Sequence, residues 1–176
     1  MELAIVIGSR GTWIPRHRAW EHIFGFTVLN DVSARDLQWR NSQFLYGKGQ
    51  DSYCPLGPVI TTGDEMPPLK DVVLRLLVNG EVRQEESAEH MLFKPDAVVA
   101  ELSRGITLEP GDIISLGTPG GCGYQMVPPQ FLTPGDVVEC DVTGIGRLAN
   151  PVVDVAPPDE AMSKRREATE ELEEQK

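Results

Sequence analysis

Six side chains stand where their types and neighbours can do chemistry: Glu2, Asp31, Arg35, Gln38, Lys48 and Thr118. Asp31 opens the run Asp31-Val32-Ser33-Ala34-Arg35-Asp36-Leu37-Gln38, just after the apolar stretch Phe26 to Leu29. Glu2 opens a second apolar stretch, Leu3 to Ile7. Carboxylates at two adjacent strand ends supply the oxygen ligands that a hard cation such as Mg²⁺ takes. On residues alone, Asp31 also fits an Asn-Asp turn after a strand, and Glu2 a frayed terminal residue. Arg35 and Gln38 follow Asp31 at i+4 and i+7, which lie on one face of a helical turn. A guanidinium binds a carboxylate through two parallel N–H bonds; an exposed ion pair with Asp36 is the competing use of Arg35. Lys48 lies between Gly47 and Gly49, where the backbone can approach a neighbour closely. Its surroundings have the wrong spacing for a phosphate-binding loop of the Walker type. Thr118 sits in Gly117-Thr118-Pro119-Gly120-Gly121-Cys122-Gly123. Its hydroxyl can donate to a carboxylate, and the glycines let backbone N–H groups turn inward. Cys122 reads as a small buried hydrophobe, with no partner evident to activate its thiol.

These residues need elements to hold them. Residues 3–7 read as a short buried strand closed by Gly8. Pro15 opens an expected helix through Phe24, with Trp20, Ile23 and Phe24 on one face and Gly25 as its cap. Phe26 to Leu29 is a second strand leading into the Asp31 segment, and Ser33 to Gln38 is a helical turn or a loop. From Pro55 onward the chain reads mostly as β-structure. Val72 to Val78 and Glu81 to Gln84 flank Asn79-Gly80, a strong hairpin signal. A helix is expected from Pro95 to Ser103, closed by Gly105. Leu108-Glu109-Pro110-Gly111-Asp112-Ile113-Ile114 is echoed by Leu132-Thr133-Pro134-Gly135-Asp136-Val137-Val138, each a Pro-Gly turn feeding a β-branched strand. Two copies make a local echo and not a solenoid.

Composition narrows the function classes. A chain of 176 residues with 40% hydrophobic residues suits one domain with a real core. The net charge of −11 argues against nucleic acid and anionic membrane surfaces as partners. Cys54, Cys122 and Cys140 form no CxxC pair, which removes zinc ribbons and thioredoxin chemistry and suits a reduced cytoplasmic compartment. The apolar start lacks a basic leader and is too short to span a membrane. His17, His22 and His90 match no zinc-protease arrangement and read as surface or capping residues. No Gly-x-Ser-x-Gly elbow is present, which disfavours a serine hydrolase. Residues 156–176 carry seven acidic and four basic side chains with little apolar content, and read as a charged, flexible tail after a domain of residues 1–155.

The Asp31 run, Glu2-Leu3, Gly47-Lys48 and the Gly117–Gly123 loop together resemble the metal-dependent fumarylacetoacetate hydrolase family, over about residues 2 to 153. The resemblance implies a mixed α/β, mainly β fold: a β-sandwich or roll with a few short helices. It implies Mg²⁺ or Mn²⁺ held by Glu2 and Asp31, with Glu2 matching the second glutamate of a Glu-x-Glu-Leu pattern. The first glutamate of that pattern, and a lid helix bearing a general base in several family members, would precede Met1. Arg35 and Gln38 would contact the substrate carboxylate or carbonyl. Lys48 would stand beside the metal and the substrate oxyanion, and Thr118 would close the site over the substrate. Gly49 and Cys122 depart from the family pattern, which has serine and valine there. The expected function is hydrolysis, decarboxylation or isomerisation of small 2-oxo acids or 1,3-dicarbonyl acids through a chelated enolate, in a homodimer. The alternative is a catalytically impaired fragment or pseudoenzyme that dimerises with a complete homologue.

Overall fold

The structure is a computed structural model that describes residues 1–40 and 42–154. The expected tail lies outside the described residues. Two four-stranded antiparallel sheets make the architecture. The first has the order β3-β2-β1-β6, built from β1 (Glu2–Ile7), β2 (Ile23–Leu29), β3 (Leu56–Thr62) and β6 (Ile113–Ser115). The second has the order β5-β4-β7-β8, built from β4 (Val73–Val78), β5 (Glu81–Ser87), β7 (Val137–Val142) and β8 (Gly146–Pro151). Among the described residues, three short α-helices, α1 (Arg35–Gln38), α2 (Leu45–Lys48) and α3 (Pro95–Leu102), and four short 3-10 helices join the strands. The fold is mainly β with few short helices, as the sequence predicts.

The core explains why β1 reads as a continuous apolar run. Met1, Leu3, Ile5 and Ile7 join the main apolar cluster with Phe26 and Val28 of β2 and with Leu74, Leu76, Val138, Cys140 and Val142 of the second sheet. The alternate positions Glu2, Ala4 and Val6 point to the other face, as the two-residue period of a strand demands, yet they are buried too. A strand covered on both faces has no use for polar alternation.

Local chemistry sets several turns. Asn79 and Gly80 both have positive φ (53° and 81°), the signature of a type I′ turn, and they join β4 to β5 with Val78 paired to Glu81. The Pro-Gly echo is structural as well. In both copies the aspartate after the glycine accepts a 2.8 Å hydrogen bond from a backbone N–H, that of Glu109 for Asp112 and of Thr133 for Asp136. The glycines adopt φ of 93° and 99°, as position i+2 of a type II turn requires.

One expected element changes. Residues Arg16–His22 form a 3-10 helix, and Gly25 lies inside β2 instead of capping a helix. A Cβ at Gly25 would lie 2.3 Å from the Thr61 carbonyl oxygen, so glycine there permits the close pairing of β2 with β3. Trp20 and Phe24 are about half exposed, and the apolar face expected of them does not pack as one surface. The helix expected from Pro95 to Ser103 is α3, Pro95–Leu102, with Ser103 as its C-cap residue.

Candidate functional site

Strand pairing brings the two carboxylates to one end of the first sheet. Glu2 is opposite Leu29 in the β1–β2 register, and Asp31 follows two residues beyond Leu29. Glu2 is 7% exposed and ordered within the strand, so it is no frayed terminus. Its Oε2 accepts from the Ser115 hydroxyl and, at 2.9 Å, from the Gly117 N–H. Both donors sit there because β6 pairs with β1 and ends at Ser115. Asp31 spends its side chain on Lys48 and not on the turn: Lys48 Nζ donates to Asp31 Oδ2. The turn itself is closed by backbone, with the Val32 N–H donating to the Asn30 carbonyl at 2.8 Å.

Lys48 reaches Asp31 because α1 and α2 touch through backbone. The Ala34 N–H donates to the Gly47 carbonyl at 2.8 Å. A Cβ on Gly47 would stand 2.8 Å from the Gln38 Cα and N, too close for any side chain. The glycine before the lysine is therefore the condition for the lysine's position.

Arg35 and Gln38 form a unit on α1. Arg35 Nη1 donates to Gln38 Oε1 at 2.8 Å, and Gln38 is 5% exposed. Asp31 precedes the helix, which starts at Arg35, so the shared face expected for positions 31, 35 and 38 exists only for Arg35 and Gln38. Asp36 pairs with Arg40 at 3.9 Å and leaves Arg35 to other partners.

Thr118 is engaged by the protein. Its hydroxyl donates to the Met1 carbonyl at 2.9 Å and accepts from Gln84 Nε2 at 3.0 Å. Gln84 Nε2 also donates to the Pro119 carbonyl at 2.7 Å. This buried glutamine on β5 ties the second sheet to the glycine loop. Sequence reasoning passed over Gln84 because its only signal was a polar residue in a strand, and its partners lie more than thirty positions away.

Cys54 is a second residue passed over. Partial burial raises its pKa first, the charges of Asp31 and Glu2 raise it further, and Lys48 lowers it. The thiol thus shares the electrostatic neighbourhood of the carboxylate pair and is held protonated, which disfavours a nucleophilic role. Burial raises the Cys140 thiol to about 11, making it a core residue without chemistry. His17 and His90 are exposed, and His22 Nδ1 lies 3.0 Å from the Ser9 carbonyl, so none joins the cluster.

Among the described residues, no group of three or more His, Cys, Asp and Glu side chains is placed to hold a metal ion. The two-carboxylate set of Glu2 and Asp31 fits a cation that keeps water or substrate oxygens as further ligands, as Mg²⁺ does. Two open clefts, of about 400 Å³ beside Trp13 and α3 and about 450 Å³ beside Trp20 and Met66, share no residue with this cluster. The cluster's chemistry, and not cleft volume, marks it as the candidate site. No helix among the described residues is long and apolar enough to cross a membrane.

The chain as a whole is similar to known proteins. Residues 1–153 match the family described as "Fumarylacetoacetate (FAA) hydrolase C-terminal". Oxaloacetate tautomerase YisK of Bacillus subtilis is 44% identical over 151 residues, which are 86% of this chain and 50% of that protein. The human mitochondrial oxaloacetate tautomerase FAHD2A is 43% identical over 155 residues, 87% of this chain and 49% of its own length. The chain spans about half the length of the curated relatives it matches. Among solved structures, a fumarylacetoacetate hydrolase from Exiguobacterium antarcticum superposes with a TM-score of 0.85 at 47% identity, covering 88% of this chain and 55% of that one. A 2-hydroxyhepta-2,4-diene-1,7-dioate isomerase from Mycobacterium marinum gives a TM-score of 0.77 at 41% identity, covering 86% of this chain and 56% of that one.

Proposed function

This chain belongs to the fumarylacetoacetate hydrolase family, and on that premise we propose that it acts on small 2-oxo acids, with keto–enol tautomerisation of an oxaloacetate-like substrate as its reaction. The observation that carries this reading is the cluster at the end of the first sheet: Glu2 fixed by Ser115 and Gly117, and Asp31 paired with Lys48. The relatives named oxaloacetate tautomerase support that reaction over hydrolysis or decarboxylation, which the same kind of site can host.

The residues divide the work. Glu2 and Asp31 would hold a divalent cation, Mg²⁺ or Mn²⁺, which would supply Lewis-acid polarisation of the 2-oxo group. The Lys48 ammonium stands against Asp31 and places positive charge where negative charge develops on the substrate oxygen. Arg35, with Gln38 orienting it, binds the substrate carboxylate through its planar fork. The hydrogen bonds of Thr118 hold the glycine loop against β1 and β5, and the loop closes the site over the substrate. The working form is a cytoplasmic homodimer with a small 2-oxo or dicarboxylic acid as its partner.

The test follows the ultraviolet absorbance of enol oxaloacetate as it converts to the keto form, with Mg²⁺ and with chelator. The expected result is Mg²⁺-dependent acceleration that Asp31→Ala abolishes while the unfolding midpoint stays within error, because a ligand is lost and little core. Acceleration that is equal in chelator, or unchanged in Asp31→Ala, refutes the metal assignment. Hydrolysis of an acylpyruvate without tautomerisation would replace the proposed reaction and leave the site in place.

A further inference from the structure

The glycine loop ends in a residue that the assignments above do not use. Tyr124 lies in the short 3-10 turn Gly123–Gln125, and its ring carries the Arg35 guanidinium at 4.2 Å from the ring centroid. Both side chains are half-buried. The turn is pinned on either side. Gly121, at φ +101°, passes so close to β5 that a Cβ would lie 2.1 Å from the Arg83 carbonyl oxygen. Gly123 passes as closely to Gln130, where a Cβ would lie 2.2 Å from the carbonyl oxygen. The Gly123 carbonyl also accepts from the Met126 and Gln130 N–H groups, at 3.1 and 2.9 Å. The ring is therefore held by backbone contacts of the second sheet and its loop, while Arg35 belongs to the helix that follows the first sheet.

We infer that Tyr124 is a positioning residue for carboxylate recognition: it holds the Arg35 guanidinium over its ring and fixes the fork for a planar carboxylate. The inference rests on the reading of Arg35 as the carboxylate ligand. The ring attracts the guanidinium charge through its quadrupole and restrains the side chain, while recognition of a carboxylate uses the N–H donors of the fork. Gln38 takes a donor at one edge, and the rest of the edge remains for substrate. A long side chain fixed beforehand loses less rotational freedom on binding, which tightens the complex without a new contact to ligand. The same stack couples the loop that carries Thr118 to the helix that carries Arg35.

Calorimetric titration of the Mg²⁺-saturated full chain with oxalate, a planar stand-in for a 2-oxo acid, tests this. Tyr124→Leu keeps bulk but removes the aromatic face, and is expected to weaken oxalate by about tenfold while leaving Mg²⁺ affinity unchanged, as the loss of one partly desolvated cation–π contact implies. Tyr124→Phe keeps the face and is expected to stay within about threefold of wild type. In an Arg35→Ala background Tyr124→Leu should cost nothing further, because the two residues act as one unit. An equal loss in that background, wild-type oxalate affinity in Tyr124→Leu, or a parallel loss of Mg²⁺ affinity overturns the inference. Should Arg35→Ala bind oxalate like wild type, the carboxylate-ligand reading fails and the inference falls with it. Should Arg35→Ala weaken binding and Tyr124→Leu not, the inference alone fails.

Discussion

The β1–β2 pair of the first sheet and the strands of the second sheet bury their residues differently. Every position of β1 is buried, and β2 is buried from Gly25 to Leu29. In the second sheet burial alternates, as in β7, where the outward positions carry charge: Arg147 on β8 pairs with Glu139 at 2.8 Å and with Asp141 at 3.0 Å. Arg75 and Glu85 make a like pair across β4 and β5. The candidate site grows from the ends of β1 and β2, which are buried on both faces, whereas β3 and β6 of the same sheet are largely exposed. A carboxylate at the end of such a strand inherits the rigidity of packed neighbours, whereas one on the solvated sheet would share its mobility with water. The second sheet contributes from behind, through Gln84 and the backbone of Arg83, which hold the glycine loop in place.

This contrast predicts unequal costs. Leu3→Ala removes a fully buried side chain from the strand that carries Glu2, and is expected to destabilise by about 3 kcal/mol, whereas Arg147→Ala, which breaks only solvent-exposed ion pairs on the second sheet, is expected to cost far less. Urea unfolding of the two variants checks the ranking, and equal costs would dissolve the distinction between the two regions. Gly47→Ala forces a Cβ into the α1 backbone and is expected to cost about 1–3 kcal/mol. It should also detach Lys48 from Asp31, so that turnover falls more than Mg²⁺ affinity; the crystal structure of the variant with Lys48 still on Asp31 would show that the glycine is not the condition proposed.

The smallest effect lies far from the site. Arg16 donates to Asp96 at 2.7 Å, and that hydrogen bond holds the Asp96 carboxyl below its ordinary range. A depressed carboxylate contributes stability that is present above its unfolded pKa and lost as pH falls through its folded one. Asp96→Asn should therefore lower stability at neutral pH by under about 1 kcal/mol, since Arg16 is largely exposed, and flatten the loss of stability in acid. An acid unfolding profile identical to wild type would show the pair to be without effect.

How far the sequence could be read depended on how local each signal was. The Asn79-Gly80 hairpin and the two Pro-Gly turns were legible because their backbone angles are dictated by the residues at the turn. The helix expected from Pro15 through Phe24 is shorter, Arg16–His22, because Trp20, Ile23 and Phe24 satisfy helical spacing while β2 takes Ile23, paired with Ile7 of β1, and Phe24 into a strand. Gly25 reads as a cap for the same reason: its register partner, Thr62, and the Thr61 carbonyl that it approaches lie on another strand.

The sequence by itself determined the family, the mainly β class and the residue types at the site, since carboxylates, a glycine-flanked lysine and an arginine fork are chemical facts of the chain. Only the tertiary structure decided that Glu2 is buried under Ser115 and Gly117, that Lys48 stands on Asp31, and that Gln84 and Tyr124 hold Thr118 and Arg35. Those pairings span from 17 to 115 positions. Strand register and close backbone approach create them, and neither is written in the identity of any one residue.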